Sequence, residues 1–357
     1  MIDRLIRTTH SLVALGVLAL AGCAGASSPG RPPTLATAGV QQATTSSCPV
    51  AVWATKVNTG IVVGFGAAGN YCKAIYGSNN EHLMYANGLA TSANRLYVAD
   101  KQGKIFVFTL QGTFVKAWST SIGTTRYNPW SVCVTHHPPA PDVVGVGTYQ
   151  AASSAIPVAE FFSAGAANGS SPTGYASGAG LTSQVWCAFD KSGDFFVDGT
   201  TALHHPRIAY LARGHVNVAA QTLVNAGLGS AHDWASMYSR IDVNPNQNWL
   251  SVNALVQCYT GCSQTVHNWK IFPDPVNGPI GFVAKPTYTF TGWPSSPSSP
   301  IYQLAPSAGG AAGQLYMAAL YNNVILKAPA NGGPVAPWNL YYQGNPLGLA
   351  TVPTGQY

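Results

Sequence analysis

Five histidines of this chain lie in short polar segments between apolar runs: His82, His204, His205, His232 and His267. Imidazole groups bind metal ions or act as general acids and bases near neutral pH. His82 follows Glu81 and His232 precedes Asp233, so a carboxylate stands beside two of the five. Whether these side chains share one site depends on the elements that carry them.

No familiar catalytic signature accompanies these histidines. The sequence holds no GxSxG, HExxH or P-loop motif, which excludes the common hydrolase, zinc-protease and kinase-type sites. Gly64 to Gly69 match GxGxxG, but the strand-like NYCKAIYG follows where a dinucleotide site needs a helix, so we predict a hairpin. Asp190-Lys-Ser-Gly-Asp194 lacks the alternating ligands of a calcium loop and is predicted to be a turn between strands.

The composition narrows the function classes further. Of the 357 residues 8% are charged, against about 25% in an average protein, which argues against a coiled coil or a charge-rich disordered chain. The formal net charge of +6 is mild and no run of Lys or Arg occurs, so we expect no nucleic-acid partner. The length is sufficient for one large domain with a full core.

Residues 1–22 are predicted to be a lipoprotein signal peptide. Arg4 and Arg7 precede an apolar run, Ser11 to Leu20, which is too short to span a bilayer stably as a lone helix. Leu20-Ala21-Gly22-Cys23 then resembles the lipobox of bacterial lipoproteins, and this resemblance implies that Cys23 becomes the lipid-bearing N-terminus. An ordinary signal peptide with an incidental cysteine is the alternative.

Residues 23–47 are predicted to be the lipidated cysteine and a flexible tether. Small and polar residues with proline fill this segment, and they cannot bury enough surface to offset chain entropy. The lipid on Cys23 would attach the protein to a membrane, which is therefore an expected partner. Because Ala24 rather than an aspartate follows the cysteine, the resemblance to Gram-negative lipoproteins implies the outer membrane of the cell envelope.

Residues 48–357 are predicted to be an all-β domain built from a repeated unit. Short β-rich runs separated by Gly, Pro, Asn and Ser fill the segment, and no long helical periodicity interrupts them. The clearest unit, Asn87 to Trp118, divides into four strands at LATS, RLYVAD, KIFVFTL and TFVKAW. In KIFVFTL apolar residues point to both faces, which suits a strand packed on both sides.

This unit resembles a blade of the NHL and gluconolactonase/regucalcin-like β-propellers. Weaker copies follow, with first strands around these residues: Cys133, Cys187, Asp242, Leu304 and Ala350. Residues 349–352 look like a first strand without successors, and residues 50–76 look like three strands without a predecessor. Together they would complete one blade and close a six-bladed ring, although the long segment 255–300 also permits five or seven blades.

The propeller prediction places the five histidines on one face. In such a ring, the connections from second to third strands and those from fourth strands to the next unit emerge on the same side. We assign His204, His205 and His267 to the first kind of connection and His82 and His232 to the second. A shared histidine face is a candidate ligand-binding site.

The family resemblance also implies a divalent metal at the channel mouth, held by a glutamate, two asparagines and an aspartate. That set cannot be placed here, because neither Glu81 nor Glu160 begins a first strand. Asp242 has no carboxylate partner at a matching position. No cofactor is therefore evident, and a divalent metal on the histidine face stays open as an alternative.

Six cysteines remain besides Cys23, and an even number in an exported chain favours disulfides. Cys258 and Cys262 are predicted to staple one loop, with a metal-binding pair as the rival interpretation. Cys48 and Cys72 flank the N-terminal strands and are predicted to pin the closing blade.

Cys133 and Cys187 present a different case, because they occupy the same position in neighbouring units. Equivalent positions in a rotational array point the same way round the ring rather than at each other. We therefore expect buried free thiols at these two positions, with a bridge as the alternative.

These observations favour a monomeric, lipid-anchored binding or scaffold protein of the cell envelope. Its ligand would be an envelope protein or a small molecule such as a sugar that stacks on aromatic side chains. With 11 acidic residues, the chain offers few candidates for acid–base chemistry. A metal-dependent lactonase- or lyase-like enzyme that uses the histidine face is the alternative function.

Overall fold

The computed structural model describes much of the predicted β domain. The described residues are 48–76, 83–122, 125–135, 142–149, 159–190, 192–201, 206–227, 234–241, 248–255, 265–272, 281–291, 301–308, 313–319, 323–339 and 345–352. All of them fall in one compact unit, residues 45–357. The predicted signal peptide, the lipidated Cys23 and the tether lie outside the described residues.

Within these ranges the regular structure is β-strand, apart from one 3-10 helix at Arg213–His215. Most strands belong to four-stranded antiparallel units, six of them in the described residues. Unit 1 contains β27 (Pro346–Thr351), β1 (Val52–Lys56), β2 (Ile61–Phe65) and β3 (Tyr71–Tyr76). Unit 2 contains β4 (Ala86–Thr91), β5 (Arg95–Asp100), β6 (Lys104–Thr109) and β7 (Phe114–Ser119). Unit 3 contains β10 (Asn128–Val134), β11 (Val143–Tyr149), β12 (Ala159–Ser163) and β13 (Gly174–Gly178).

The remaining units follow in chain order. Unit 4 contains β14 (Leu181–Phe189), β15 (Phe195–Thr201), β16 (Pro206–Leu211) and β17 (Gln221–Asn225). Unit 5 contains β18 (Trp234–Ile241), β19 (Asn248–Leu255), β20 (Thr265–Phe272) and β21 (Gly281–Thr291). Unit 6 contains β22 (Ile301–Pro306), β23 (Gln314–Ala319), β24 (Val324–Pro329) and β26 (Ala336–Asn339). The short strands are β8 (Ser121–Ile122), β9 (Thr125–Arg126) and β25 (Gly333–Pro334).

Unit 1 is assembled from both ends of the domain. Strand β27 pairs antiparallel with β1, so that Ala54 lies opposite Leu349, and β1 pairs in turn with β2. The first strands of the units contact one another in the order β27, β4, β10, β14, β18 and β22, and β22 contacts β27 again. The chain is therefore an all-β propeller, and the prediction that three N-terminal strands and one C-terminal strand share a sheet is confirmed.

The core lies between the units because strands bury both faces. In β6, Ile105 and Val107 pack toward unit 3, whereas Phe106 and Phe108 pack toward unit 1, as alternation of side chains requires. Trp118 stacks on Phe162 across the gap between units 2 and 3, with ring centroids 5.2 Å apart and planes 9° apart. Burial of such aromatic surfaces stabilises the interface between these units.

Polar side chains link the first strands across the centre of the ring. The Gln303 amide in β22 donates to the carbonyl oxygen of Leu89 at 2.9 Å and accepts the N–H of Leu349 at 2.9 Å. The Thr91 hydroxyl in β4 donates to the carbonyl oxygen of Thr351 at 2.7 Å. These bonds join β22, β27 and β4 side by side and fix the closure.

Glycine allows the first strands to approach closely at this point. A Cβ at Gly348 would lie 2.0 Å from the carbonyl oxygen of Asn87, and one at Gly88 would lie 2.6 Å from the Cα of Ser131. Side chains cannot fit at either distance. The backbones of β27, β4 and β10 therefore touch.

One predicted cysteine pair is confirmed and another prediction is wrong. Cys48 and Cys72 form a disulfide with Cα atoms 5.3 Å apart, which ties the chain before β1 to β3. Cys133 and Cys187, predicted to be free thiols, form a second disulfide with Cα atoms 5.8 Å apart. Cys258 and Cys262 lie outside the described residues.

The Cys133–Cys187 bridge forms because the two side chains lie on opposite faces of their own sheets. Both belong to the buried cluster between units 3 and 4, whereas Val132 and Val134 face unit 2 and Trp186 belongs to a different cluster. A difference of one residue in register reverses the direction of a side chain in a strand. Equivalent sequence positions therefore do not point the same way here.

Smaller predictions can also be compared with the structure. Residues 66–70 form the turn of a β2–β3 hairpin with Gly69 at a φ of +81°, as predicted. Residues 190–194 connect β14 to β15, as predicted. No described helix is long and apolar enough to cross a membrane.

Candidate functional site

The upper face is our name for the side of the propeller where second strands end and third strands begin. In units 1 to 3 its described residues are 57–60, 83–85, 101–103, 120–122 and 125–127. Backbone hydrogen bonds join these connections: the Ala86 N–H donates to the Thr59 carbonyl, and the Thr120 N–H donates to the Gly103 carbonyl. The surface is thus continuous across neighbouring units.

The structure leaves four of the five predicted site histidines untested: His82, His204, His205 and His232 lie outside the described residues. His267 is described as backbone, within β20 and opposite Val252. Its assignment to a connection is therefore wrong. It is the third residue of a third strand, so its backbone lies near the upper face.

Glu160 is a buried carboxylate that the sequence analysis set aside. It is the second residue of β12 and is 0% exposed, and neither carboxylate oxygen has a hydrogen-bond partner among the residues that the structure describes. Its cross-strand neighbours Val146 and Tyr175 share its face of the sheet, and Val146 belongs to the cluster between units 2 and 3. Glu160 therefore points toward unit 2, at the upper end of the interface.

Burial determines the ionisation of this group. Desolvation disfavours the charged form and raises the pKa of Glu160 well above its usual range. Burial, and then the negative charge of Glu160, raise the pKa of Tyr127 at the end of the 120–127 connection. Glu160 and Tyr127 are thus electrostatic neighbours beneath the upper face.

Asp198 is the second such carboxylate. It lies in β15 between Trp186 and Ile208 and is 1% exposed. Desolvation raises its pKa well above the usual range, and the backbone of Trp186 partly offsets that rise. Because its strand ends at Thr201, Asp198 leads into the connection that carries two of the histidines.

Asp100, by contrast, is a buried carboxylate with a full set of partners. One of its oxygens accepts the N–H of Met84 at 2.7 Å and that of Tyr85 at 3.1 Å, and the other accepts the N–H of Gln102 at 2.9 Å. The N–H of Lys101 donates to the Tyr85 carbonyl at 3.0 Å. Three of these four bonds hold the backbone of residues 84–85 against unit 2, and the bond from Gln102 fixes the Asp100 side chain.

The side chains on this rigid segment are exposed and apolar. Met84 is 46% exposed and Tyr85 is 40% exposed, while Tyr76, at the end of β3, is 57% exposed. All three lie where unit 1 passes to unit 2 on the upper face, and we call them the Tyr76–Met84–Tyr85 patch. Exposed apolar groups held in one conformation are typical of recognition surfaces.

The described residues do not gather a metal site. No group of three or more His, Cys, Asp or Glu side chains occurs within the described ranges. Glu160 and Asp198 belong to different interfaces, since Glu160 faces unit 2 whereas Asp198 shares its sheet face with Phe196, in the cluster that includes Phe282 of unit 5. The two carboxylates therefore do not form an acid–base pair.

The sequence analysis missed the components that the structure places on or beneath this face. Glu160 was dismissed because it is not on a first strand, although its position after a predicted strand start could have flagged it. Met84 and Tyr85 lie just before the clearest repeat unit, in the sequence LMYANG, and gave no signal of exposure. The contacts of Asp100 that fix the backbone of this segment are visible only in the structure.

Comparison with known proteins adds structural neighbours but no family. No family model matches the chain, and no curated protein matches it. A Bacteroides caccae protein of unknown function superposes with a TM-score of 0.49 at 8% identity, covering 85% of this chain and 98% of its own. A chain of a mitotic checkpoint complex reaches 0.49 at 12% identity, with coverages of 85% and 80%. The Dos1 propeller reaches 0.45 at 13% identity, with coverages of 81% and 77%. The fold assignment rests on the strand pairing described above.

Proposed function

We propose that this chain is an extracytoplasmic, lipid-anchored β-propeller of six blades that acts as a binding or scaffold protein in the cell envelope. The lipid would be carried by Cys23, and the expected location is the outer membrane. The resemblance of residues 87–118 to NHL and gluconolactonase/regucalcin-like blades belongs to this proposal. Two disulfides support an oxidising compartment, because such bonds are rare where glutathione keeps thiols reduced.

The observation that carries the proposal is the Tyr76–Met84–Tyr85 patch. Asp100 fixes the backbone of the segment, so a partner that covers Met84 and Tyr85 need not order a loop when it binds. Tyrosine and methionine offer large contact areas that suit apolar side chains of another protein. An envelope protein is therefore the partner that this surface favours.

Site-specific crosslinking in living cells tests this function. A photoreactive residue is placed at Gln102, beside the patch, and at Val224, an exposed residue of the outer strand β17, as the control. We expect a crosslinked envelope protein from position 102 and none from position 224. The Met84→Ser, Tyr85→Ser double variant should abolish the product. Equal crosslinking from both positions, or a product unaffected by the double variant, would contradict the proposal.

A metal-dependent lactonase- or lyase-like activity is the second candidate function. It is favoured by the position of Glu160 and His267, which both lie near the beginning of a third strand and hence near the upper face. The two residues belong to units 3 and 5, so further ligands would have to come from the connections that carry the other histidines. Metal analysis, described below, distinguishes this candidate from the binding protein.

A further inference from the structure

Asparagine followed by glycine is a chemically labile pair. Asparagine is one of the thermolabile residues, and a glycine, which has no side chain, allows its backbone nitrogen to approach the amide carbon of the asparagine side chain. The chain contains four such pairs: Asn87-Gly88, Asn168-Gly169, Asn277-Gly278 and Asn331-Gly332. The Asn277 pair lies outside the described residues, and the structure gives the other three very different surroundings.

Packing encloses the Asn87 pair. The Asn87 side chain is buried in β4, and its amide donates to the Pro129 carbonyl at 3.4 Å. A Cβ at Gly88 would lie 2.6 Å from the Cα of Ser131 in β10. Attack on the Asn87 side chain therefore requires the first strands of units 2 and 3 to separate.

Hydrogen bonds hold both reacting groups of the Asn168 pair, although Asn168 is exposed. The side-chain oxygen of Asn168 accepts the N–H of Ala117 in β7 at 2.8 Å, and the Gly169 N–H donates to the Ala117 carbonyl at 2.7 Å. The N–H of Ser119 donates to the Ser170 carbonyl at 2.9 Å and holds the next residue in place. Both bonds to Ala117 must therefore open before the Gly169 nitrogen can attack the Asn168 side chain.

The Asn331 pair is the least restrained of the three. Asn331 is exposed in the turn between β24 and β25, and no hydrogen bond holds its side chain among the described residues. The Gly332 N–H donates to the Pro329 carbonyl at 3.1 Å. Gly332 and Gly333 have φ values of +98° and +124°, which glycine adopts readily, so two residues with wide backbone freedom follow Asn331.

We propose that Asn331 is a site of spontaneous deamidation, with water as the co-reactant. The Gly332 nitrogen attacks the amide carbon of the Asn331 side chain, and the side-chain nitrogen leaves as ammonia together with the proton that the Gly332 nitrogen gives up. A cyclic imide remains. Water then opens this ring: attack at the side-chain carbonyl gives aspartate, whereas attack at the main-chain carbonyl gives isoaspartate, in which the backbone is one carbon longer.

The lengthened backbone disturbs the contact that covers unit 5. Strand β25 (Gly333–Pro334) pairs in parallel with β21, the fourth strand of unit 5, and the Val335 N–H donates to the Thr291 carbonyl at 2.7 Å. The turn itself lies on β21, because a Cβ at Gly332 would be 3.0 Å from the Thr289 carbonyl oxygen. An added backbone carbon at residue 331 cannot be accommodated without a shift of this register, so isoaspartate exposes the edge of β21 to other chains.

Peptide mapping of the full-length protein, incubated at mildly alkaline pH, tests the site. Digestion after lysine and arginine separates the pairs, and Asn331 lies in the peptide that follows Lys327. In the folded protein we expect Asn331 to convert nearly as fast as in the denatured chain, and Asn87 and Asn168 to convert at least about tenfold more slowly. In denaturant the three pairs should convert at similar rates, because the packing and hydrogen bonds that distinguish them are lost.

Two variants separate the longer backbone from the added charge. Asn331→Gln should resist conversion, because its longer side chain closes the ring poorly, whereas freshly prepared Asn331→Asp carries the charge without isoaspartate. In the parent protein, hydrogen exchange of the Val335 amide should accelerate as incubation proceeds. Exchange of this amide should stay slow in incubated Asn331→Gln and should be slow in fresh Asn331→Asp.

Three results would overturn the proposal. Conversion of Asn87 or Asn168 that equals or exceeds that of Asn331 in the folded protein would mean that the surroundings of these pairs do not select the site. Conversion of Asn331 in denaturant but not in the folded protein would mean that the turn protects it. Isoaspartate at residue 331 with unchanged exchange of the Val335 amide would mean that the cover of β21 tolerates the longer backbone.

Discussion

Cys133 and Cys187 face each other across the gap between units 3 and 4 and join two neighbouring first strands covalently, with Cα atoms 5.8 Å apart. The bridge lies in a buried cluster with Phe189 and Phe195. A Cβ at Gly145 would lie 3.1 Å from the Cys133 sulfur, so the glycine leaves the room that the bridge occupies. One crosslink near the centre thus ties two units that otherwise meet through apolar contacts and the outer β13–β17 pairing.

Replacement of both cysteines by alanine should lower the stability of the propeller. The bridge closes a loop of 54 residues, and removal of a native disulfide typically costs about 2–5 kcal/mol. Denaturant unfolding under non-oxidising and oxidising conditions measures the loss. Reductant should lower the free energy of unfolding of the parent protein more than that of the double variant, because only Cys48–Cys72 remains in the described residues of the variant. Equal stability of parent and variant would contradict a structural role.

Ring closure can be tested at one glycine. Gly348→Ala places a methyl group 2.0 Å from the Asn87 carbonyl oxygen, where the backbones of β27 and β4 cannot separate without breaking the central hydrogen bonds. We expect this substitution to lower the free energy of unfolding by about 1–3 kcal/mol or more. Gly165→Ala is the matched control, because its nearest neighbour is the Ser163 hydroxyl at 3.7 Å. Thermal unfolding should separate the two variants clearly; similar melting temperatures would argue against the close approach.

Because of Glu160, the free energy of unfolding should fall as pH rises from the acid range. Because burial raises its folded pKa, its contribution to stability is complete below the ordinary carboxyl pKa of 4.5 and is lost as pH rises through the folded pKa. Glu160→Gln should therefore match the parent at acid pH and exceed it increasingly at neutral and alkaline pH, by about 1–3 kcal/mol. Denaturant unfolding across pH measures the difference.

Asp100→Asn provides the contrast for the Glu160 variant. The Asp100 carboxylate accepts three backbone N–H groups, so its neutral replacement should destabilise the protein at neutral pH. If Glu160→Gln also destabilises the protein at neutral pH, then its carboxylate has a partner that the structure does not contain.

The lipid anchor leads to a separate prediction. Cys23→Ala should release the protein from the membrane fraction into the soluble envelope fraction, because the acyl chains on this sulfur would supply the membrane affinity. Fractionation followed by immunodetection measures the change. An Ala26→Ser variant, altered in the same tether, should remain with the membrane. Membrane association that survives Cys23→Ala would remove the lipobox interpretation.

Metal analysis of the purified protein separates the two candidate functions. For a binding protein we expect no stoichiometric divalent metal and no difference between the parent and His267→Ala or His204→Ala. The measurement is elemental analysis after exhaustive dialysis, with melting curves as a control for folding. One bound metal per chain that both variants lose would favour the enzyme instead.

The fold could be predicted from sequence because its signals are local and repeated. The four strands read in residues 87–118 correspond to β4 through β7, and the orphan strands at the two ends of the domain predict the mixed sheet of unit 1. Apolar residues on both faces of β6 predict burial on both sides. These features depend on alternation and turn residues, which a single sequence displays directly.

The rest depended on register and on contacts between distant segments. The Cys133–Cys187 bridge requires opposite side-chain directions in two strands, and a shift of one residue decides it. The parallel β13–β17 pairing joins two outer strands, and neither sequence contains a pattern that predicts which strand it pairs with. The patch around Met84 is fixed by Asp100, 16 residues further along the chain. The candidate site was therefore much less predictable than the architecture.

The pairing of β1 with β27 also constrains how the protein is made. Thr55 and Gly348, joined by a hydrogen bond of 2.7 Å, are 293 residues apart in the chain. Strands β1 to β3 are synthesised before β27, so their sheet lacks its first strand until residues 346–351 have been added. A product that stops before residue 346 cannot form the β1–β27 pairing, so closure of the ring depends on the synthesis of β27.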